Sequence, residues 1–159
     1  MRKRSSYRPR PVMLNPLASM RPVSSAKRDA VMAQFWLALS NMVSGTEPGI
    51  DDWRDLSDAI NTIETMALGM HKLRPDEVMP DINAAIGGMV RAKDRYQAGK
   101  GMRLDAEGIA AIRTVIDYYG QCLEGFTERE MSMAQAETQA RVNALLYGPR
   151  EAGQVVIEL

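Results

Sequence analysis

IDDWRDLSDAINTIETMALGMHK, residues 50–72, decides the fold. Within it Trp53, Leu56, Ile60, Ile63, Ala67 and Met70 recur at alternating steps of three and four, the spacing that lines one face of an α-helix. Asp51 and Asp52 stand at its start, where the positive end of the helix dipole favours carboxylates, and His71 and Lys72 place cations in its expected last turn. A helix with such a stripe must bury it against other elements, and the rest of the chain supplies them in kind.

Upstream, Ser24 and Ser25 are candidate N-caps for a helix over 25–44 that turns Phe35, Trp36, Leu39, Met42 and Val43 inward, and Gly45 and Pro48-Gly49 close it. Downstream, Pro75 and Asp76 open a helix over 76–97 with Val78, Met79, Ile82, Ile86, Met89 and Val90 inward. Gly87-Gly88 inside it require a close helix crossing or a local break, because each glycine costs up to about 1 kcal/mol relative to alanine. After the Gly99-Lys100-Gly101 turn, Asp105 is the expected N-cap of a helix over 105–124, with Leu104 stapling to Ile109 and with Ile112, Ile116, Tyr119 and Leu123 on its buried face. Thr127-Glu128-Arg129-Glu130 is a capping-box pattern, flanked by the staple pair Phe126 and Met131. The helix it starts carries Met131, Ala134, Thr138, Val142, Leu145 and Leu146 inward and stops near 147, at Gly148-Pro149. The expected fold is all-α: a compact bundle of about five helices over 24–148, preceded by an extended basic arm over 1–23 and followed by a tail over 149–159 that is frayed or docks as an edge strand or apolar tail on a neighbour.

The 159 residues suffice for one domain with a real core. Twelve methionines read first as core filling. The single cysteine, Cys122, allows no intrachain disulfide and no cysteine-based zinc site, and its neighbours Tyr119, Leu123 and Phe126 suggest a buried structural thiol. No apolar run approaches the roughly 18 residues of a membrane span, and prolines interrupt the stretch after Arg4 where a signal peptide needs an unbroken apolar segment. A soluble protein that stays in the cytoplasm is expected, without a membrane partner.

Catalytic signals are sparse. With one histidine, His71, neither a catalytic triad of the usual kind nor a multi-histidine metal site can be assembled. Asp51-Asp52 and the Glu128/Glu130 pair read as helix caps, and Asp55 and Asp58 as solvent-facing carboxylates. Gly99-Lys100-Gly101 lacks the spacing and the Lys-Ser/Thr ending of a phosphate loop. No catalytic residue, metal ligand or cofactor is expected, and the protein reads as non-enzymatic.

Charge is distributed unevenly. Residues 1–28 hold eight basic side chains and no acidic one, although the whole chain is neutral, so residues 29–159 carry a net charge of about −8. Four prolines, at 9, 11, 16 and 22, forbid a regular helix in the arm. Its candidate contact residues are Arg2, Lys3, Arg4, Tyr7, Arg8 and Arg10. Clustered guanidinium groups beside a tyrosine suit phosphate contacts and base stacking on a nucleic acid. They equally suit contact with a protein partner, a second copy or the chain's own acidic body, or a solvated tail.

The opening Met1-Arg2-Lys3-Arg4-Ser5-Ser6-Tyr7-Arg8-Pro9-Arg10-Pro11-Val12 resembles the start of small helical accessory proteins encoded by tailed bacteriophages and prophages. That resemblance implies a phage origin, hence the cytoplasm of a bacterial host, and action by binding a host or phage macromolecule. The leading expectation is an accessory or regulatory protein that binds a protein partner, with homo-oligomerisation as one form of it. The alternative is a nucleic-acid-binding protein that uses its basic arm.

Overall fold

The computed structural model describes residues 20–45 and 49–148. These residues form five helices, α1 (Ser25–Ser44), α2 (Ile50–Leu68), α3 (Pro75–Gln97), α4 (Ala106–Gly125) and α5 (Glu128–Tyr147), and no strand among them. The all-α bundle expected from hydrophobic period is therefore the fold.

Helix starts follow the capping chemistry. Ser24 Oγ accepts from the Lys27 amide at 3.3 Å, and Asp105 Oδ1 accepts from the Gly108 amide at 2.8 Å. Thr127 and Glu130 form the reciprocal box, with Glu130 Oε2 accepting from the Thr127 amide at 2.9 Å and Thr127 Oγ1 from the Glu130 amide at 3.3 Å. At α2, Asp52 supplies the cap from inside the helix: its Oδ2 accepts from the Gly49 amide and its Oδ1 from Asn41 Nδ2 of α1, both at 2.8 Å. One carboxylate thus starts α2 and ties it to the end of α1.

The stripe read from residues 50–72 lies at the centre of the molecule. Trp53, Leu56, Ile60, Ile63 and Ala67 are all buried, and α2 packs against each of the other four helices. Its end differs from expectation. The helix stops at Leu68; the Gly69 and Met70 amides both donate to the Thr65 carbonyl and the Lys72 amide to the Met66 carbonyl, so the chain turns away one turn early. His71 consequently lies beyond the helix, exposed and with φ +50°, rather than in its last turn, and Met70 is only half-buried.

Other inward sets hold at their centres and loosen at their edges. In α1, Phe35, Leu39 and Met42 are buried, but Trp36 and Val43 are 39 % and 37 % exposed. At about 100° per residue these two sit roughly a quarter turn or more from the middle of the buried arc, so one face cannot take all five. Met79, Ile86 and Val90 of α3 and Val142, Leu145 and Leu146 of α5 are likewise half-buried. In α3 the small residues Ala85, Gly88 and Ala92, outside the expected inward set, are buried beside Val78, Ile82 and Met89.

The α3–α4 pair is the most extensive contact in the bundle. The helices run antiparallel, and α3 passes through Gly87-Gly88 unbroken, so the glycines mark a crossing rather than a break. A Cβ on Gly88 would stand 2.5 Å from the Gly108 Cα, and one on Gly108 would stand 2.9 Å from the Gly88 Cα. The two backbones touch where neither has a side chain. Gly87 points elsewhere, with only the flexible Arg91 guanidinium within reach of an added Cβ, at 3.3 Å.

Adjacent glycines therefore respond oppositely to the same change. Gly88→Ala is expected to destabilise by about 1–3 kcal/mol, since the helices must separate. Gly87→Ala should be neutral or stabilising by up to about 1 kcal/mol through helix propensity. Leu56→Ala and Ile60→Ala, which empty fully buried sites, should each cost about 2–5 kcal/mol. Denaturant midpoints of the four variants provide the check, and a Gly88→Ala midpoint equal to that of Gly87→Ala would refute the crossing.

Candidate functional site

Several polar side chains near the bundle surface hold helices together. Asp105, besides capping α4, accepts from Arg91 Nε at 2.6 Å, Arg91 Nη2 at 3.1 Å and Arg95 Nη2 at 3.2 Å. The Arg91 hydrogen bond, followed by the Gly108 amide, holds this carboxyl well below the usual carboxylate range. Glu130 receives Lys72 Nζ at 2.8 Å, and this bond with those from Thr127 lowers it to about 2. Also between α3 and α4, the Tyr118 hydroxyl donates to Asp81 Oδ2 at 2.7 Å, and that bond raises the phenol to about 12.

The reactive residue types are similarly occupied or isolated. Cys122 is 2 % exposed, and burial pushes its thiol up to about 12, as the expected structural thiol requires. Asp58 is exposed and Asp55 half-buried, and no group of three or more histidine, cysteine, aspartate or glutamate side chains among the described residues could hold a metal ion. Gly99 and Gly101 adopt φ of +72° and +79°, so the Gly-Lys-Gly segment is a turn built on left-handed glycines. Between α2 and α5 a recess of about 20 Å³ is lined by Glu64, Thr65, Thr138 and Arg141 among others. That is room for about one water. Arg141 spans it, donating to Glu64 Oε2 at 2.7 Å and to Thr65 Oγ1 at 3.2 Å. Trp53 Nε1 is buried with no hydrogen-bond partner among the described residues, and Trp53 does not line that recess.

Arg2, Lys3, Arg4, Tyr7, Arg8 and Arg10, the candidate contact residues, lie outside the described residues, as does the tail over 149–159. Where description begins, the chain is already fixed to the bundle. Pro22 bridges Thr127, the Glu128 amide donates to the Arg21 carbonyl at 2.9 Å, and Val23 is buried. Residues 21–23 therefore belong to the body. The basic residues that follow meet acidic ones across the α4–α5 junction, Lys27 with Glu128 at 3.6 Å and Arg28 with Glu124 at 3.3 Å.

One surface is not explained by packing. Helix α1 carries no charged residue from Ala30 to Ser44, and the uncharged run continues to Thr46. Its inner side is committed to the core, with Phe35 set edge-on against Tyr119 at 4.9 Å between ring centroids. Its outer side exposes Ala30, Ala33, Trp36, Leu37, Ser40, Val43 and Ser44, with Leu37 63 % exposed. Other exposed large apolar side chains, such as Ile50, Leu68, Tyr96 and Met133, are scattered over separate elements. A helix uncharged on both sides, with Trp36, Leu37 and Val43 on the outer one beside Gln34, Ser40 and Ser44, is the pattern of one covered on both sides. The signal stands in the sequence as an uncharged run, masked there because a count of inward positions absorbs Trp36 and Val43 into the core.

No helix among the described residues is long and apolar enough to cross a membrane. Compared with protein-family models, curated proteins and solved structures, the chain shows no match.

Carboxylates held low stabilise the fold only while ionised. Glu130 has an ordinary value of 4.5 and about 2 in the fold, so its contribution is complete above about pH 5 and is lost as pH falls toward about 2; Asp105 acts in the same direction. Melting temperature should fall on acidification from about pH 6 to about pH 2.5, and less steeply in Glu130→Gln and Asp105→Asn, because both variants have already lost the charge. Thermal melts across that range on the three proteins measure it; parallel curves would show that these pairs do not couple folding to protonation.

Proposed function

We propose that this chain is a non-enzymatic accessory or regulatory protein that acts by binding a protein, and that the outward face of α1 is where it binds. The observation that carries the reading is the uncharged surface of Ala33, Trp36, Leu37, Ser40 and Val43, on a helix whose opposite side already fills the core. Aromatic and aliphatic side chains on a surface poor in charge supply desolvation energy to an interface and little to a solvated monomer. The phage-like leader supports a binding role, and the occupied polar groups of the bundle support one without chemistry.

The competing reading gives the leading part to the arm and a nucleic acid. The same chain sets its own limit on that reading, since a body of about −8 repels the phosphates that the arm attracts. The two respond differently to salt and to substitution. Affinity capture from expressing cells, with nucleic acid digested in parallel, should recover a protein on the intact chain and lose it on Leu37→Glu. A salt-titrated binding assay should show little DNA or RNA affinity in the intact chain or in one lacking residues 1–11. Tight nucleic-acid binding that falls steeply with salt and disappears with residues 1–11 would reverse the assignment.

A further inference from the structure

We infer that the outward face of α1 pairs with the same face of a second copy, the two helices antiparallel about a two-fold axis at Leu37. This inference rests on the reading of α1 as a protein-binding face and names the partner. Ala30, Ala33, Leu37, Ser40 and Ser44 follow one another at steps of three, four, three and four, the period of a helix–helix seam. All are exposed. A two-fold contact demands that the surface complement itself. With the axis at Leu37, Ala30 and Ala33 of one copy lie level with Ser44 and near Ser40 and Asn41 of the other, so small residues meet small ones and the helices can approach closely. Trp36 and Val43 flank the seam on the same side and cover its edge.

Charge at the ends of the helix selects the same arrangement. Asp29, 3.8 Å from Arg28 Nε of its own chain yet with a side chain 74 % exposed, stands at the beginning of α1, eight positions before the axis. Eight positions after it is Gly45, whose carbonyl accepts from Arg103 Nη2 at 3.2 Å. The exposed Arg103 guanidinium is thus fixed at the far end of α1. An antiparallel pair brings Asp29 of each copy to Arg103 of the other, twice by symmetry, whereas a parallel pair would oppose Asp29 to Asp29. No charged residue intervenes between Ala30 and Ser44 to be desolvated.

Size sets the strength. A helix of this length presents a strip about 30 Å long and about 10 Å wide, so each copy contributes on the order of 300–400 Å², against the roughly 800 Å² per partner of a standard stable interface. The pair should accordingly be reversible, with a dissociation constant in roughly the 1–100 µM range.

Sedimentation equilibrium of the full chain over a range of concentration, with circular dichroism and thermal melts to verify folding, tests the pairing. Dimerisation should appear in the full chain and vanish in Leu37→Glu and in Ser40→Glu, both at exposed positions that leave the core intact. Asp29→Arg or Arg103→Asp alone should weaken it by about three- to tenfold, and the double variant, which restores opposite charge at both ends, should recover it. A full chain that stays monomeric, a Leu37→Glu chain that still dimerises, or a double variant no better than the singles would overturn the inference. A full chain monomeric until residues 1–19 or 149–159 are removed would assign the face to that segment and overturn it too. If the chain is monomeric but Leu37→Glu still loses a captured protein, the face binds something other than itself: the second copy falls and the proposed function stands.

Discussion

Two α-carbons with nothing between them, Gly88 and Gly108, fix the spacing of α3 and α4. Because the backbones touch there, every other dimension of that pair is set by how far the side chains on either side can reach. Arg91 and Arg95, one and two turns beyond Gly88, extend just far enough to close on Asp105, one turn before Gly108. Toward the other end of the pair, Tyr118 reaches Asp81. A larger residue at the crossing would loosen the helices and also pull the arginines off the carboxylate that caps α4. Packing and electrostatics here are one constraint, since Gly108 both receives Gly88 and donates its amide to Asp105.

From that pair the bundle is fastened outward by further polar ties. The loop after α3 reaches back to α1: the Leu104 amide donates to the Met42 carbonyl at 3.2 Å and Arg103 to Gly45. Helix α5 is more peripheral, with Met131, Ala134 and Thr138 as its buried residues. Two ion pairs fix its direction, Arg141 with Glu64 of α2 and Glu130 with Lys72 of the turn that follows α2. Exposed pairs of this kind contribute little singly, typically 0–1 kcal/mol, so they orient α5 more than they hold it.

Hydrophobic period and capping chemistry made the helices legible because both are local. Asp105, Thr127 and Glu130 announce helix starts within four residues, and the stripe of α2 repeats for five turns. What lies between helices was less legible. Gly69, which caps α2 directly after Leu68 with its amide on the Thr65 carbonyl, is a local stop signal that the apolar spacing on to Met70 conceals. Gly87 and Gly88 looked equivalent, and only the partner helix distinguishes them. Trp36 and Val43 failed for a related reason: an apolar residue at the edge of an arc is inside or outside according to what the neighbouring helix leaves uncovered. The arm residues from Arg2 to Arg10 drew attention through composition, but the surface on which the functional reading now rests was hidden by its resemblance to core.

Cys122 gives the molecule a clock of its own. Its sulfur sits 2 % exposed in α4, one turn from the Tyr119 ring that Phe35 abuts, and its thiol is held protonated by burial. A thiol reagent can reach it only in the fraction of time that the packing around it is parted, and only a solvated sulfur ionises readily enough to react. Alkylation of the untouched chain therefore proceeds at the pace of its breathing. With one cysteine in the sequence there is one hand to read, and anything that settles on α1 and tightens it against α4 must slow that hand without approaching the sulfur.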